Sequence, residues 1–196
     1  MISKFRKSLW ILPLLMTSGM VQAISIGFNP VSQSVTTGDT IITDVVISDL
    51  GSGAAPSIGT YDLDITFDDS HLSFVSTSFG NQLDLFGLGS TASDILTGAG
   101  VLNLFELSFD LPADLDALQA DSFSLATLTF DVLTTNSSAL GIVVNALGDS
   151  LANPLTADVA AGNITSTDLT VTVPEPAVLL LLLPGLIALG ITARNK

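Results

Sequence analysis

The sequence contains no cysteine. Disulfides therefore do not staple the fold, and no thiolate nucleophile is available. Basic residues are nearly absent and sit only at the ends: Lys4, Arg6, Lys7, Arg194 and Lys196 are all five, against nineteen acids. Between Ala23 and Val173 there is no lysine or arginine, while every acid except Glu175 lies there. A surface of that sign repels phosphate backbones, because binding them needs cations to replace released counterions. Nucleic-acid binding is excluded on that ground. Salt bridges within the body are excluded too, so its stability must come from burial and backbone pairing. Aromatics are few: one tryptophan, Trp10, and one tyrosine, Tyr61. A sugar-stacking platform has little to build on, and His71 is the single imidazole.

Both ends read as addresses. Lys4, Arg6 and Lys7 precede a short apolar run, Leu9 to Met16, and Val21-Gln22-Ala23 offers small or modest residues where signal peptidase reads. This is the layout of a secretory signal over residues 1–23, with cleavage expected between Ala23 and Ile24. The apolar run is about half the ~20 residues a membrane span needs. At the other end Val173-Pro174-Glu175-Pro176-Ala177 leads into an almost wholly apolar stretch to Ala193, then Arg194-Asn195-Lys196. The prolines stop any preceding strand and hold an extended linker. At ~1.5 Å per residue, about 17 helical residues reach ~25 Å, close to a ~30 Å hydrocarbon core. The basic tail would stay cytoplasmic.

Pro174-Glu175-Pro176, a leucine-rich helix and a terminal basic tail resemble the PEP-CTERM sorting signal of exported proteins in Gram-negative bacteria that make exopolysaccharide. The resemblance implies recognition over residues 173–196 by an exosortase, a membrane-embedded transpeptidase-like enzyme acting near the motif. It also implies a transient membrane anchor through the C-terminal helix, then release to the cell surface or matrix. Pro184-Gly185 departs from an uninterrupted helix and should kink it, and the basic tail is thin.

Strand patterns dominate the body, residues 24–172. Tyr61, Leu63, Ile65 and Phe67 alternate with Asp62, Asp64, Thr66 and Asp68, which puts an apolar row on one face and acids on the other. Phe105, Leu107 and Phe109 alternate with Glu106, Ser108 and Asp110, so those three apolar residues are expected to face inward. Leu128, Phe130 and Val132 follow the same rule, but Phe123 and Leu125 are out of phase with them, which places a bulge or break near Ala126. Further strands are expected at Ile24–Phe28, Thr40–Ser48, Leu72–Ser78, Leu140–Leu147 and Ile164–Val173. Turn signals at Asn29-Pro30, Thr37-Gly38-Asp39, Gly51-Ser52-Gly53 and Asn153-Pro154 separate them. Only Pro112–Gln119 looks helical. The fold class is all-β, a two-layer antiparallel sandwich.

The corner Phe67-Asp68 with Leu72, and the later strand Leu125-Ala126-Thr127-Leu128-Thr129-Phe130, resemble those of cohesin-type domains. The resemblance spans most of residues 24–172 and implies a nine-stranded jelly roll. Fold likeness alone does not transfer dockerin binding.

Chemistry is sparse. Asp69-Ser70-His71 holds the letters of a catalytic triad, yet sequence neighbours cannot arrange as nucleophile, base and orienter. Their expected role is turn formation, with the histidine exposed. Calcium favours several oxygen ligands, and Asp68 with Asp69, or Asp62 with Asp64, could supply some. A weak calcium site is thus the single cofactor the residue types leave open, without any EF-hand spacing. The connection 81–100 crowds Leu83, Leu85, Phe86 and Leu88 among glycines; they either cap the open end of the sandwich or form an apolar patch for a partner.

The leading reading is non-enzymatic: an exported structural or binding protein of the cell surface or exopolysaccharide matrix. Its partners would be signal peptidase, an exosortase, and extracellular polysaccharide or another surface protein. The alternative is a cohesin-like adhesin module binding carbohydrate or protein. A glycoside hydrolase stands third, since it needs two carboxylates converging in a partly dry cleft.

Overall fold

The computed structural model describes residues 23–167. Two sheets stack on one core. The first contains β1 (Ile24–Asn29), β3 (Thr40–Ser48), β5 (Leu72–Phe79), β8 (Phe123–Val132) and β10 (Ala157–Val159), in the order β10-β1-β3-β8-β5. The second contains β2 (Ser32–Thr36), β4 (Ile58–Thr66), β6 (Ser90–Gly98), β7 (Val101–Ser108), β9 (Ser137–Asp149) and β11 (Gly162–Thr167), in the order β2-β11-β9-β4-β7-β6. One short helix, α1 (Pro112–Leu118), bridges β7 and β8. Its proline lies in the first turn, where the missing N–H costs nothing.

Eleven segments stand where nine strands were expected. The difference lies at the two ends of the chain. β1 and β2 are halves of one strand, broken at Asn29-Pro30, that passes from the first sheet to the second. β10 and β11 are likewise halves of the last strand. The two crossing strands run parallel: Ile24 opposite Ala157 in one sheet, Thr167 opposite Thr36 in the other. Their approach is close at Gly162, where a Cβ would lie 3.0 Å from the Phe28 ring and force that ring to shift.

The core is formed by the inward rows. Tyr61, Leu63 and Ile65 of β4 meet Ile41, Val45 and Ile47 of β3 and Leu128 and Phe130 of β8, all buried. The expected irregularity in β8 is present: opposite it, Val45 pairs with Ala126 and Val46 with Ser124, leaving Leu125 as the extra residue. That residue resets the phase, so Leu125, Ala126, Leu128 and Phe130 are all buried.

Two expectations are corrected here. In β7 the inward row is Leu102, Leu104 and Glu106; Leu107 and Phe109 face solvent. The pairing of β7 with β4 fixes that phase, because Leu104 lies opposite Leu63 and Glu106 opposite Tyr61. Second, the connection 81–100 contains an edge strand, β6. It is open to solvent along most of its length, so its sequence shows no alternation to read.

Candidate interaction surface

Ala23 is the first described residue and is exposed; Ile24 is buried at the start of β1. A cut between them would leave β1 whole. Residues 1–22 and the motif Pro174, Glu175 and Pro176 with its apolar run lie outside the described residues. Among the described residues no helix is long and apolar enough to cross a membrane.

The acidic row on β4 faces outward, as its alternation requires, and it is not bare. Asn103 of β7 donates its amide to Asp62 at 2.6 Å and to Asp64 at 2.9 Å, and Asn145 of β9 reaches Asp62 at 3.2 Å. Neutral donors thus stand where a basic protein would use lysine or arginine. Among the described residues, no group of three or more histidine, aspartate or glutamate side chains is placed to hold a metal ion.

The corner after β4 closes as a hydrogen-bonded turn. The Ser70 hydroxyl and N–H both donate to Asp68 Oδ1, at 2.6 and 3.0 Å. The Ser70 hydroxyl is the main reason the Asp68 carboxyl is held below its ordinary range. His71 is not exposed, contrary to the sequence expectation: it is 0% accessible. Its N–H bonds to the Asp68 carbonyl at 3.0 Å and its own carbonyl accepts from Leu133 at 2.8 Å, so the backbone draws the ring under the β8–β9 connection. Asp69, Ser70 and His71 form no catalytic constellation.

Glu106 is a raised carboxyl, 1% accessible inside the sandwich. Burial raises its pKa; hydrogen bonds from Ser90 (2.8 Å) and Tyr61 (3.0 Å) oppose the shift, and the Asp84 charge adds to it. Burial also pushes the Tyr61 hydroxyl up, with Glu106 adding to the effect. Two other acids hold the neighbouring β5–β6 connection: Asp110 accepts from the Leu85 N–H at 2.6 Å, and Asp84 from the Gly89 N–H at 2.8 Å. Asp110 and Asp149 line one cavity of about 280 Å³. Asp149 is engaged there in staple bonds to Leu151 and Asn153, chiefly the Asn153 side chain, which lower its pKa. Glu106 does not line that cavity. The carboxyl that burial raises is therefore sealed inside the sandwich and does not face that cavity.

The β5–β6 connection does both things its sequence allowed. Leu83 is buried and caps the end of the core. Phe86 and Leu88 stay open, at 53% and 59%. Gly89 brings them beside the end of β7, where its carbonyl accepts from the Phe109 N–H at 3.2 Å. Phe109 and Leu111 are 52% and 62% exposed, and Leu107 of the same outward row is partly exposed. Together they make an apolar surface at this end of the domain.

Two residues that organise this end escaped the sequence reading. The Phe105–Phe109 alternation puts Glu106 outward, whereas the unbroken Leu102-Asn103-Leu104 alternation is the signal that it belongs inside. Gln119, buried at the end of α1, pairs with Ile58 like a strand neighbour, accepting its N–H at 2.6 Å and donating to its carbonyl at 2.9 Å. Side-chain mimicry of a β ladder leaves no periodic trace.

No protein-family model and no curated protein matches the sequence. Solved structures do. The sixth cohesin of scaffoldin B from Acetivibrio cellulolyticus, in complex with a Cel5 dockerin, superposes with a TM-score of 0.60 at 17% identity, over 74% of this chain and 99% of that one. A non-cellulosomal cohesin from the archaeon Archaeoglobus fulgidus gives 0.57 at 18%, over 74% and 92%. The seventh ScaB type I cohesin of Pseudobacteroides cellulosolvens gives 0.60 at 13%, over 79% and 98%. The described domain has the cohesin fold.

Proposed function

We propose that this chain is an exported cell-surface protein whose sandwich is a protein-binding module, not an enzyme. The observation that carries the reading is the apolar surface of Phe86, Leu88, Phe109 and Leu111, because soluble domains seldom leave such clusters open without a partner. The fold supports it: cohesins of the same shape have been solved bound to dockerins. A dockerin-like or other surface protein is the partner class we favour over polysaccharide, since no exposed tryptophan or tyrosine is available among the described residues to stack a sugar. Changing Phe86 and Phe109 together to serine in the exported chain should weaken binding of the cognate partner by about tenfold or more, as loss of aromatic anchors does, while the melting temperature holds. Undiminished binding by the double variant would place the interface elsewhere.

Export and sorting complete the proposal. The signal layout before Ile24 and the PEP-CTERM-like end motivate a single-pass intermediate, body outside and Arg194 and Lys196 inside, released by an exosortase. The helix would hold the scissile region at the interface, and the prolines would keep its backbone extended. Pro174→Ala with Pro176→Ala would let the helix run through the motif. Processing should slow and the membrane-bound form accumulate. Comparing tail retention in cells with and without the exosortase checks this; equal retention of the wild-type tail in both would reduce the segment to an anchor.

A further inference from the structure

β9 is the longest strand, yet its two sides are unequally paired. One side runs against β4 from Gly141 to Asp149. The other is paired with β11 only from Ser137 to Leu140. Further along, the Leu155 N–H reaches the Leu147 carbonyl at 2.8 Å, and the Asp149 N–H reaches the Asn153 carbonyl at 2.9 Å. Between those two covered stretches, residues 141–146 receive no backbone hydrogen bond from this side among the described residues. The cause is the crossing of the last strand: β10 pairs with β1 in the opposite sheet before the chain returns as β11. The pairing with β4 slips by one residue at Asn145, between the Asp62–Ala146 and Leu63–Val144 pairs, so the uncovered stretch is an open strand edge with one bulge in it, a template for a further strand.

A groove of about 550 Å³ follows this edge, with Val144, Asn145 and Ala146 on one wall and Pro154, Leu155 and Ala157 on the other. None of its lining residues is ionisable, in a domain without a single lysine or arginine among eighteen acids. The slot therefore suits an uncharged, extended segment.

The same chain supplies one. The described part of β11 reaches Thr167, and its neighbours stop there: Thr36 closes β2, and β9 begins at Ser137, opposite Thr165. The next residues, Asp168-Leu169-Thr170-Val171-Thr172-Val173, alternate polar and apolar and stop at Pro174. That is a strand pattern, and neither described neighbour of β11 continues past Thr167. Its one charge is Asp168, and its length equals that of the open edge, 168–173 against 141–146. It cannot fill the edge of its own copy. β11 runs away from the slot, and returning from beyond Ser137 to Gly141 uses about 20 Å of chain at ~3.3 Å per residue, the whole segment before any of it could pair.

We propose that residues 168–173 of one copy add as a strand to the 141–146 edge of a second copy. Leu169, Val171 and Val173 form the face that would enter the groove. The contact joins two different surfaces, so it propagates head to tail into chains rather than closing as a dimer. Repulsion between the acidic bodies opposes it, so the chains should lengthen with salt, which screens that repulsion.

The full chain in detergent tests this, aided by its lack of native cysteine. Asn145→Cys and Thr172→Cys placed together should, on oxidation, give a ladder of linked copies on a denaturing gel. Thr170→Pro added to that pair removes a strand N–H and should abolish the ladder. An internally bridged monomer would show that the segment folds back on its own copy and would overturn the proposal. So would monomers alone at 1 M salt. A ladder that survives Thr170→Pro would show a contact other than strand addition, and would overturn it as well.

Discussion

Phe130→Ala should destabilise the domain by about 3–5 kcal/mol, in the upper range for single core truncations. Phe130 is fully buried in β8, and its ring packs edge-on against Phe67 at 5.0 Å and Phe74 at 6.0 Å. These three rings come from different places: the corner after β4, the edge strand β5 and the central strand β8. Removing the middle one leaves a void and strips the other two of an edge-to-face partner, each such pair adding about 0.5–1.5 kcal/mol beyond its area. No disulfide backs up the contact, because the chain has no cysteine. At about 2–4 °C per kcal/mol for a domain of this size, the melting temperature should fall by roughly 6–20 °C. Phe86→Ala is the comparison, since that ring is exposed and surface changes cost within about 0.5 kcal/mol. Equal effects from the two substitutions in a denaturant titration would mean that the ring cluster does not anchor the fold.

The cluster also shows what the sequence could reveal. Phe67, Leu72 and Phe130 stand in the patterns from which the sandwich was read, and those patterns work because each strand has one wet face and one dry one. Thr40–Ser48 coincides with the observed strand for that reason. The bulge beside Ala126 was legible because a phase slip within one apolar run has few other meanings. β7 misled for the opposite reason. Leu102, Leu104, Phe105, Leu107 and Phe109 offer two interleaved apolar rows, and only the register with β4, a long-range property, selects between them. β6 escaped because an edge strand has no dry face to impose alternation. His71 escaped because its burial comes from turn hydrogen bonds and from a connection sixty residues downstream, at Leu133. The open edge of β9 could not be read at all, since it arises where the last strand changes sheets.

Glu106 gives the second large effect, and one with a defined pH dependence. Glu106→Ala removes the nearer acceptor of the buried Tyr61 hydroxyl, leaving it only the Leu125 carbonyl at 3.3 Å, and leaves a cavity. The lost hydrogen bond to a charged partner alone costs about 1.5–3 kcal/mol. Glu106→Gln keeps the shape and can keep both hydrogen bonds, so it isolates the charge. Burial, assisted by Asp84, raises the folded-state pKa above its ordinary value of 4.5. The native state then binds the proton more tightly than the unfolded chain, so the slope of unfolding free energy with pH is negative between the two values. Below 4.5 the group is protonated in both states and adds no charge penalty. As pH rises from there through the raised folded value, wild type loses stability that the glutamine variant keeps. The two should therefore be nearly equal at pH 4 and diverge toward pH 7, with glutamine the more stable. The alanine variant should lie below both at pH 4, where only the packing and the lost hydrogen bonds count. The remaining acids titrate identically in all three proteins, so the difference between paired denaturant curves cancels their contribution. A wild-type-minus-glutamine difference that stays flat from pH 4 to pH 7 would mean that the carboxylate reaches solvent in the native state and is not sealed between Tyr61 and Ser90.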